Sequence, residues 1–490
     1  MSAHRDYLTA SDFYRLFQCP HWSYYERFAT KEEQAMRRPV TEGEKRLWDG
    51  GIQHEKEVVT KLFAGTEIIE VPKTTDAEAD CAATVELMKK GVLLIYQGTL
   101  TDGDWTGRPD LLERRDGESV FGPWHYVPLD VKSTYALEKY QKFQLTFYAV
   151  LLERIQKRFP ATQEVINAHG DRLPFQAVEM LKEFEETVVE LERIRAGEIP
   201  DPVLRKSCFD VGPWGKLCER LATSTDDIAQ LFNVNVPKLR ALRDLGVRTV
   251  ADAAEMDPAT LAGTLPGLTL HGLEVVKLQA RSLKDRQVFV REPVVLPTAP
   301  LEIHFDIESD PPSGMDYLYG IFTRDGGTET YLPFVAETSD GEGEMWKRFL
   351  AWLETLPPEY VVFHYAPYEK VRLAVLEKRY GGSPWLDLFR ERMVDVKDIV
   401  SSSVVFPLYF YGLKYVAPFL GFSWTGDVKG GAQSVDVYER YLETKDRALL
   451  DAIIQYNEDD VRATAVLTDW MRVYATERTS YDEPYPWVHF

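Results

Sequence analysis

The stretch Leu301-Glu-Ile-His-Phe-Asp-Ile-Glu-Ser309 constrains this chain more than any other. Its apolar residues Leu301, Ile303, Phe305 and Ile307 recur at every second position, which predicts a strand with one apolar face. Asp306 and Glu308 then project together from the opposite face. Two carboxylates about 4 Å apart repel by roughly 1–4 kcal/mol at the dielectric of a protein surface, so a fold that keeps such a pair usually holds a cation between them. A third acid stands far downstream in Tyr456-Asn-Glu-Asp-Asp460, where Tyr456 and Asp460 are one helical turn apart on a shared face.

A chain of 490 residues is too long for one core and predicts roughly two to four domains. With 44% hydrophobic and 28% charged residues it has the make-up of a folded globular protein. Charged residues interrupt every stretch long enough to span a bilayer, so no membrane partner is expected. The opening Met1-Ser-Ala-His-Arg-Asp-Tyr7 lacks the apolar core of a secretion signal. Four cysteines do not make a disulfide scaffold, and a reducing cytoplasm is the expected location. The net charge of −21 argues against indiscriminate coating of DNA. It does not exclude a nuclease, whose metal sites are themselves built from carboxylates.

Three blocks are expected: 1–220 of mixed helices and strands, 221–291 of short helices with glycine turns, and 292–490 of α/β character. The proline-rich linker Glu292-Pro-Val-Val-Leu-Pro-Thr-Ala-Pro300 introduces the last of these. There, strands are predicted at Leu301–Ser309, Tyr317–Thr323 and Glu329–Phe334, the last two joined by the hairpin turn Asp325-Gly-Gly327. A helix over Met345–Thr355, a strand at Tyr360–His364, a helix from Tyr368 and a final helix over Lys445–Ala475 follow. That order is the one expected of an RNase H-like fold.

These residues resemble the DEDD family of 3′→5′ exonucleases, in the variant with a tyrosine in its third motif. The resemblance implies that Asp306 and Glu308 of the first motif and Asp460 of the third hold two Mg2+ or Mn2+ ions, with Tyr456 orienting the attacking water. The second motif should end in Asp. Here His364-Tyr-Ala-Pro-Tyr-Glu-Lys370 offers Glu369, one methylene longer, with Asp395 as a fallback acid.

In the first block, Tyr126-Val-Pro-Leu-Asp-Val-Lys-Ser133 reads as a strand with Asp130 and Lys132 on one face, and Gly107-Arg-Pro-Asp110 as the opening of another. Gln144 and Tyr148 stand at i and i+4 on a helix predicted over Leu137–Arg158, and Gly51-Ile-Gln-His54 lies in a helical stretch. With Cys19-Pro…Tyr24-Tyr25, these elements resemble the RecB-like branch of the PD-(D/E)XK nucleases, of restriction-endonuclease-like core. The resemblance implies one or two divalent metals on His54, Asp110 and Asp130. Lys132 would position water or stabilise the transition state, and Gln144 and Tyr148 would contact DNA or support the lysine. It also implies an iron–sulfur cluster on one early and three late cysteines. This chain supplies Cys19, Cys208 and Cys218, Cys81 lying outside the pattern. Four thiolates are the normal complement, so a degenerate cluster site is expected, with these three cysteines merely packed close together.

Between the two blocks, Leu242–Val250 and Leu265–Leu273 look like helix-hairpin-helix elements, whose glycine amides (Gly267 and Gly272) can cup a backbone phosphate. Nine Lys or Arg stand against six Asp or Glu between Val236 and Arg291. Nearly the full length resembles a family of bacterial RecB-like putative nucleases, which implies a metal-dependent nuclease acting on DNA ends or single strands. Two alternatives stay open: an exoribonuclease with a structural N-terminal block, and a decayed nucleic-acid-binding adaptor for a helicase. No nucleotide-binding Gly-x-x-x-x-Gly-Lys-(Ser/Thr) loop is present, so a helicase would be a separate chain.

Overall fold

The computed structural model describes residues 6–132, 137–167, 170–232, 234–311 and 313–479. Residues 1–5 of the opening segment, Ser133 of the predicted strand and the last residues, 480–490, lie outside them. The chain divides into two compact units, Met1–Leu221 and Ala222–Phe490. Among the described residues no helix is long and apolar enough to cross a membrane.

The first unit is built on a six-stranded sheet in the order Ile68–Glu70, Leu94–Tyr96, Leu111–Ser119, Gly122–Val131, Gln163–Ile166, Arg172–Phe175. The two longest strands form an antiparallel hairpin. The next, Gln163–Ile166, runs parallel to Gly122–Val131 and so requires a crossover, which the helix Lys139–Gln156 supplies. Phe143, Phe147 and Leu151 of that helix pack with Phe13, Tyr126 and Phe184 in the largest apolar cluster of the unit. Lys132 stands one residue beyond the end of its strand. One expectation is corrected: Gly107 closes a short strand, Trp105–Gly107, and the next begins only at Leu111. Pro109 has no N–H to give a ladder, and Asp110 is left in the break between strands.

In the second unit the helices Val236–Asp244, Val250–Glu255, Pro258–Leu261 and Leu270–Asp285 enclose an apolar core that includes Leu239, Leu242, Val250, Leu273 and Val276. A five-stranded sheet follows, in the order Thr328–Val335, Met315–Asp325, Leu301–Asp310, Tyr360–His364, Met393–Asp395. The first three strands are antiparallel neighbours and the last two join in parallel. Gly326 and Gly327 take positive φ (53° and 88°) in the predicted hairpin turn, where a side chain would be strained.

Ile303, Phe305 and Ile307 pack against Trp346, Phe349, Leu373 and Leu376 on one face of the sheet. The opposite face, which carries His304, Asp306 and Glu308, is covered by the helix Arg447–Tyr474. His304 is fully buried between the rings of Phe322 and Phe363, and burial pulls its imidazole down to about 3, so it is neutral. Both faces of the strand are therefore buried, and the acids stand in a crevice between sheet and helix.

Candidate active site

Asp306 and Glu308 come from the first strand of the second unit, and Asp460 from the middle of the long helix above it. One carboxylate oxygen of each lies within 4.8 Å of the other two. Asp306 stands opposite Gly320 in the strand register. A Cβ at Gly320 would collide with the side chain of Asn457. That space lets Asn457 donate from Nδ2 to Asp306 Oδ2 at 2.7 Å, while its Oδ1 accepts from the Tyr331 hydroxyl at 2.9 Å.

Asp460 is held from the other side. Trp424 Nε1 donates to its Oδ1 at 2.7 Å, and Lys414 Nζ donates to the same oxygen. The Lys414 ammonium also lies 4.0 Å and 4.1 Å from the ring centres of Trp424 and Tyr456. The Tyr456 hydroxyl hydrogen-bonds to Asp460, as the shared helical face allows. Burial, then the charges of Asp460, Glu308 and Asp306, push that phenol well above its ordinary range, so it stays protonated.

The three carboxylates are all pushed up. Burial acts first on each; for Asp306 the charges of Asp460 and Glu369 add to it, and for Glu308 those of Asp306 and Asp460. Burial also raises Asp460, against the opposing pull of Lys414. Fully ionised, three carboxylates against one ammonium leave two negative charges uncompensated, which matches one divalent cation. These oxygens thus suit a hard cation such as Mg2+ or Mn2+.

The raised pKa values yield a prediction. Protons held by these acids compete with the cation, so Mg2+ or Mn2+ affinity is expected to rise with pH, by up to about tenfold per unit while one proton is displaced. Calorimetry in buffers of differing ionisation enthalpy reads that proton release directly. The stability sign follows. In the metal-free domain these three acids contribute their stability at low pH, where they are protonated, and that increment is lost as pH rises through their raised values. Bound cation restores it. Affinity that stays flat with pH, with no proton released on binding, would contradict the raised carboxylates.

Glu369 is buried but stands outside the three-oxygen cluster. His364 Nδ1 donates to the Ala366 carbonyl at 2.6 Å and meets Glu369 Oε2 at 3.2 Å. Burial, with the charges of Asp395 and Asp460, raises Glu369 to about 8. Asp395 is engaged elsewhere: its Oδ1 accepts from the backbone N–H groups of Ala366 and Lys397 (both 3.0 Å) and caps the helix Val396–Ser403.

In the first unit, Lys132 Nζ lies 2.7 Å from Asp130 and 3.8 Å from Asp110. Burial lowers the lysine, but the two carboxylates more than offset this and hold it above its ordinary value, charged. Asp110 is raised by burial and then by Asp130, while the Val131 N–H donates to its Oδ2 at 2.8 Å. Gln97, absent from the sequence expectations, donates at 2.7 Å to Glu55 and at 3.4 Å to Asp110. His54 lies on the helix Glu42–Leu62, and its Nε2 is buried with no hydrogen-bond partner among the described residues. An orphaned nitrogen of this kind suits a metal ligand. Among the described residues, however, no three ligand atoms at Asp110 and Asp130 converge as they do in the second unit.

Tyr148 is buried, not open to a DNA strand: its hydroxyl accepts from Gln144 at 3.1 Å and donates to the Arg108 carbonyl at 3.3 Å, bracing the turn that bears Asp110. A Cβ at Gly107 would come 2.8 Å from the Tyr148 ring, which accounts for that glycine. Gly267 (φ 83°) lies in a turn, whereas the Gly272 N–H is already bonded to Thr269 Oγ1 at 3.1 Å as part of a helix cap. Cys19, Cys208 and Cys218 form one buried cluster.

A family model described as RNase H superfamily matches residues 303–472, a span that contains Asp306, Glu308 and Asp460. No curated protein matches the chain. Residues 303–472 thus form an RNase H-like domain, a match that points to nucleic-acid processing of the nuclease type and to use of a divalent metal.

Proposed function

We propose that this chain is a metal-dependent DNA nuclease with two active sites, a 3′→5′ exonuclease in the RNase H-like domain and a second, RecB-like site around Asp110, Asp130 and Lys132. The convergence of Asp306, Glu308 and Asp460 within 4.8 Å, inside a domain of that superfamily, carries the reading. A divalent cation, when bound, supplies activation of water and stabilisation of the leaving oxygen.

The side chains divide the remaining work. Asn457 aims Asp306, while Trp424 and Lys414 fix Asp460, so the cage is pre-shaped by hydrogen bonds that a bound cation does not have to create. Tyr456 cannot serve as a base while its phenol stays protonated, and instead orients water. In the first unit Lys132 remains charged and can stabilise the pentavalent phosphate, but cannot itself take a proton. Gly267 and the local excess of cations in the helical segment support contact with a phosphate backbone.

The test uses 5′-labelled single- and double-stranded DNA and RNA, with and without Mg2+. A magnesium-dependent ladder shortening from the 3′ end of DNA is expected. Binding without cleavage under every metal condition would instead indicate an adaptor, and a ladder confined to RNA an exoribonuclease.

A further inference from the structure

In the first unit, Cys19, Cys208 and Cys218 meet in a buried cluster, all as free thiols. Cys19 Sγ and Cys218 Sγ are 3.1 Å apart, and the Cys208 thiol packed beside them faces the carbonyls of Val203 at 3.5 Å and Gln18 at 3.7 Å. A fourth group joins them. A ring nitrogen of His21 lies within 4.8 Å of the Cys19 and Cys218 sulfurs, and the residue is fully buried. His21 Nε2 is 2.8 Å from the Pro200 carbonyl. A carbonyl can only accept, so Nε2 carries the hydrogen and the lone pair is on Nδ1. An outer hydrogen bond of this kind is how proteins orient a metal-ligating imidazole.

The backbone is wound tightly around the same point. A Cβ at Gly212 would come 2.8 Å from the Cys208 carbonyl oxygen, and one at Gly215 would collide with it. Ser207 Oγ donates to the Gln18 carbonyl at 2.8 Å, which pins this loop beside the turn that bears Cys19.

An iron–sulfur cluster does not fit these donors. Its normal complement is four thiolates, and the remaining cysteine, Cys81, is engaged elsewhere with the Thr101 backbone. Three thiols and an imidazole are instead the donor set of a tetrahedral zinc site. Zn–S bonds of about 2.3 Å place sulfurs roughly 3.8 Å apart, so the 3.1 Å between Cys19 and Cys218 would have to open by less than an ångström, whereas a cluster several atoms wide would need them much farther apart.

We propose that Cys19, His21 and Cys218 bind one zinc ion, with Cys208 of the same buried cluster turning in as the fourth ligand, and that the ion fastens the helices Ala10–Gln18 and Pro20–Phe28 to the helices Lys206–Asp210 and Gly215–Ser224. The bonds formed are three Zn–S and one Zn–N, with the thiol protons released to solvent.

The test is elemental analysis of the full-length protein purified without chelator. About one zinc per chain is expected, released when an organomercurial titrates the thiols. Cys208→Ser and His21→Ala should lose it and His21→Cys should keep it. Asp306→Asn should also keep it, which separates this ion from any bound by the carboxylates. Iron with acid-labile sulfide would overturn the proposal. So would thiols that titrate with no metal released, a result obtained on the parent protein even if the variants fail to fold.

Discussion

Asp306→Ala is expected to abolish the magnesium-dependent 3′→5′ activity proposed for the RNase H-like domain, lowering its rate by about 10³-fold or more, equivalent to roughly 4 kcal/mol of transition-state stabilisation. The reason is geometric. Asp306 shares one small space with Glu308 and Asp460, and without it the remaining two acids balance Lys414 with only one negative charge to spare. The cation then loses both a ligand and most of its electrostatic attraction. Asp130→Ala should leave that ladder intact and remove a separate metal-dependent cleavage, since Asp130 pairs with Lys132 in the other unit. End-labelled DNA assays on the two variants, with metal titration by calorimetry, read both effects. If each variant cut like the parent, the carboxylates would have no part in the chemistry.

Gly320→Ala is the second large effect. The added methyl group has nowhere to go but into Asn457, which is fully buried and hydrogen-bonded at both ends of its amide. Overpacking of a core of this kind costs about 1–3 kcal/mol. Each hydrogen bond broken adds about 1 kcal/mol. A destabilisation of roughly 2–5 kcal/mol is expected, seen as a lower denaturation midpoint, together with weaker metal binding because Asp306 loses its guide. Adding Asn457→Ala should relieve the clash and return part of the lost stability, but not the metal affinity. A double-mutant cycle measures that coupling, and strictly additive losses would show that the two side chains do not meet.

Much of this centre was legible because strand and helix periods translate directly into geometry. Alternation from Leu301 to Ile307 placed Asp306 and Glu308 on one face, and the four-residue spacing of Tyr456 and Asp460 placed hydroxyl and carboxylate together. What the periods do not carry is what lies above that face. Asn457, Lys414 and Trp424 approach the acids only through tertiary packing, and a lone asparagine or lysine has no spacing signature. The glycine at 320 looked like an ordinary strand residue, although a glycine inside a strand is a known mark of close approach by another group. His21 stands two residues after Cys19, but a lone histidine beside a cysteine carries no spacing signature, and only the fold brings it to Cys218. Pro109, having no N–H to give a ladder, breaks the continuous strand expected from Gly107.

The helix Arg447–Tyr474 has 28 residues, about 42 Å of rigid rod. Leu450, Ile453 and Tyr456 seat one end among Tyr317, Leu318 and Tyr438, and Leu467, Trp470 and Met471 seat the other among Val361, Phe363 and Phe406. Asp460 therefore rides near mid-span on a beam resting on two bearings. A substitution that loosens either bearing is expected to shift the Asp460 carboxylate against Asp306 and Glu308, so the meeting of the three acids depends on oily contacts many ångströms away.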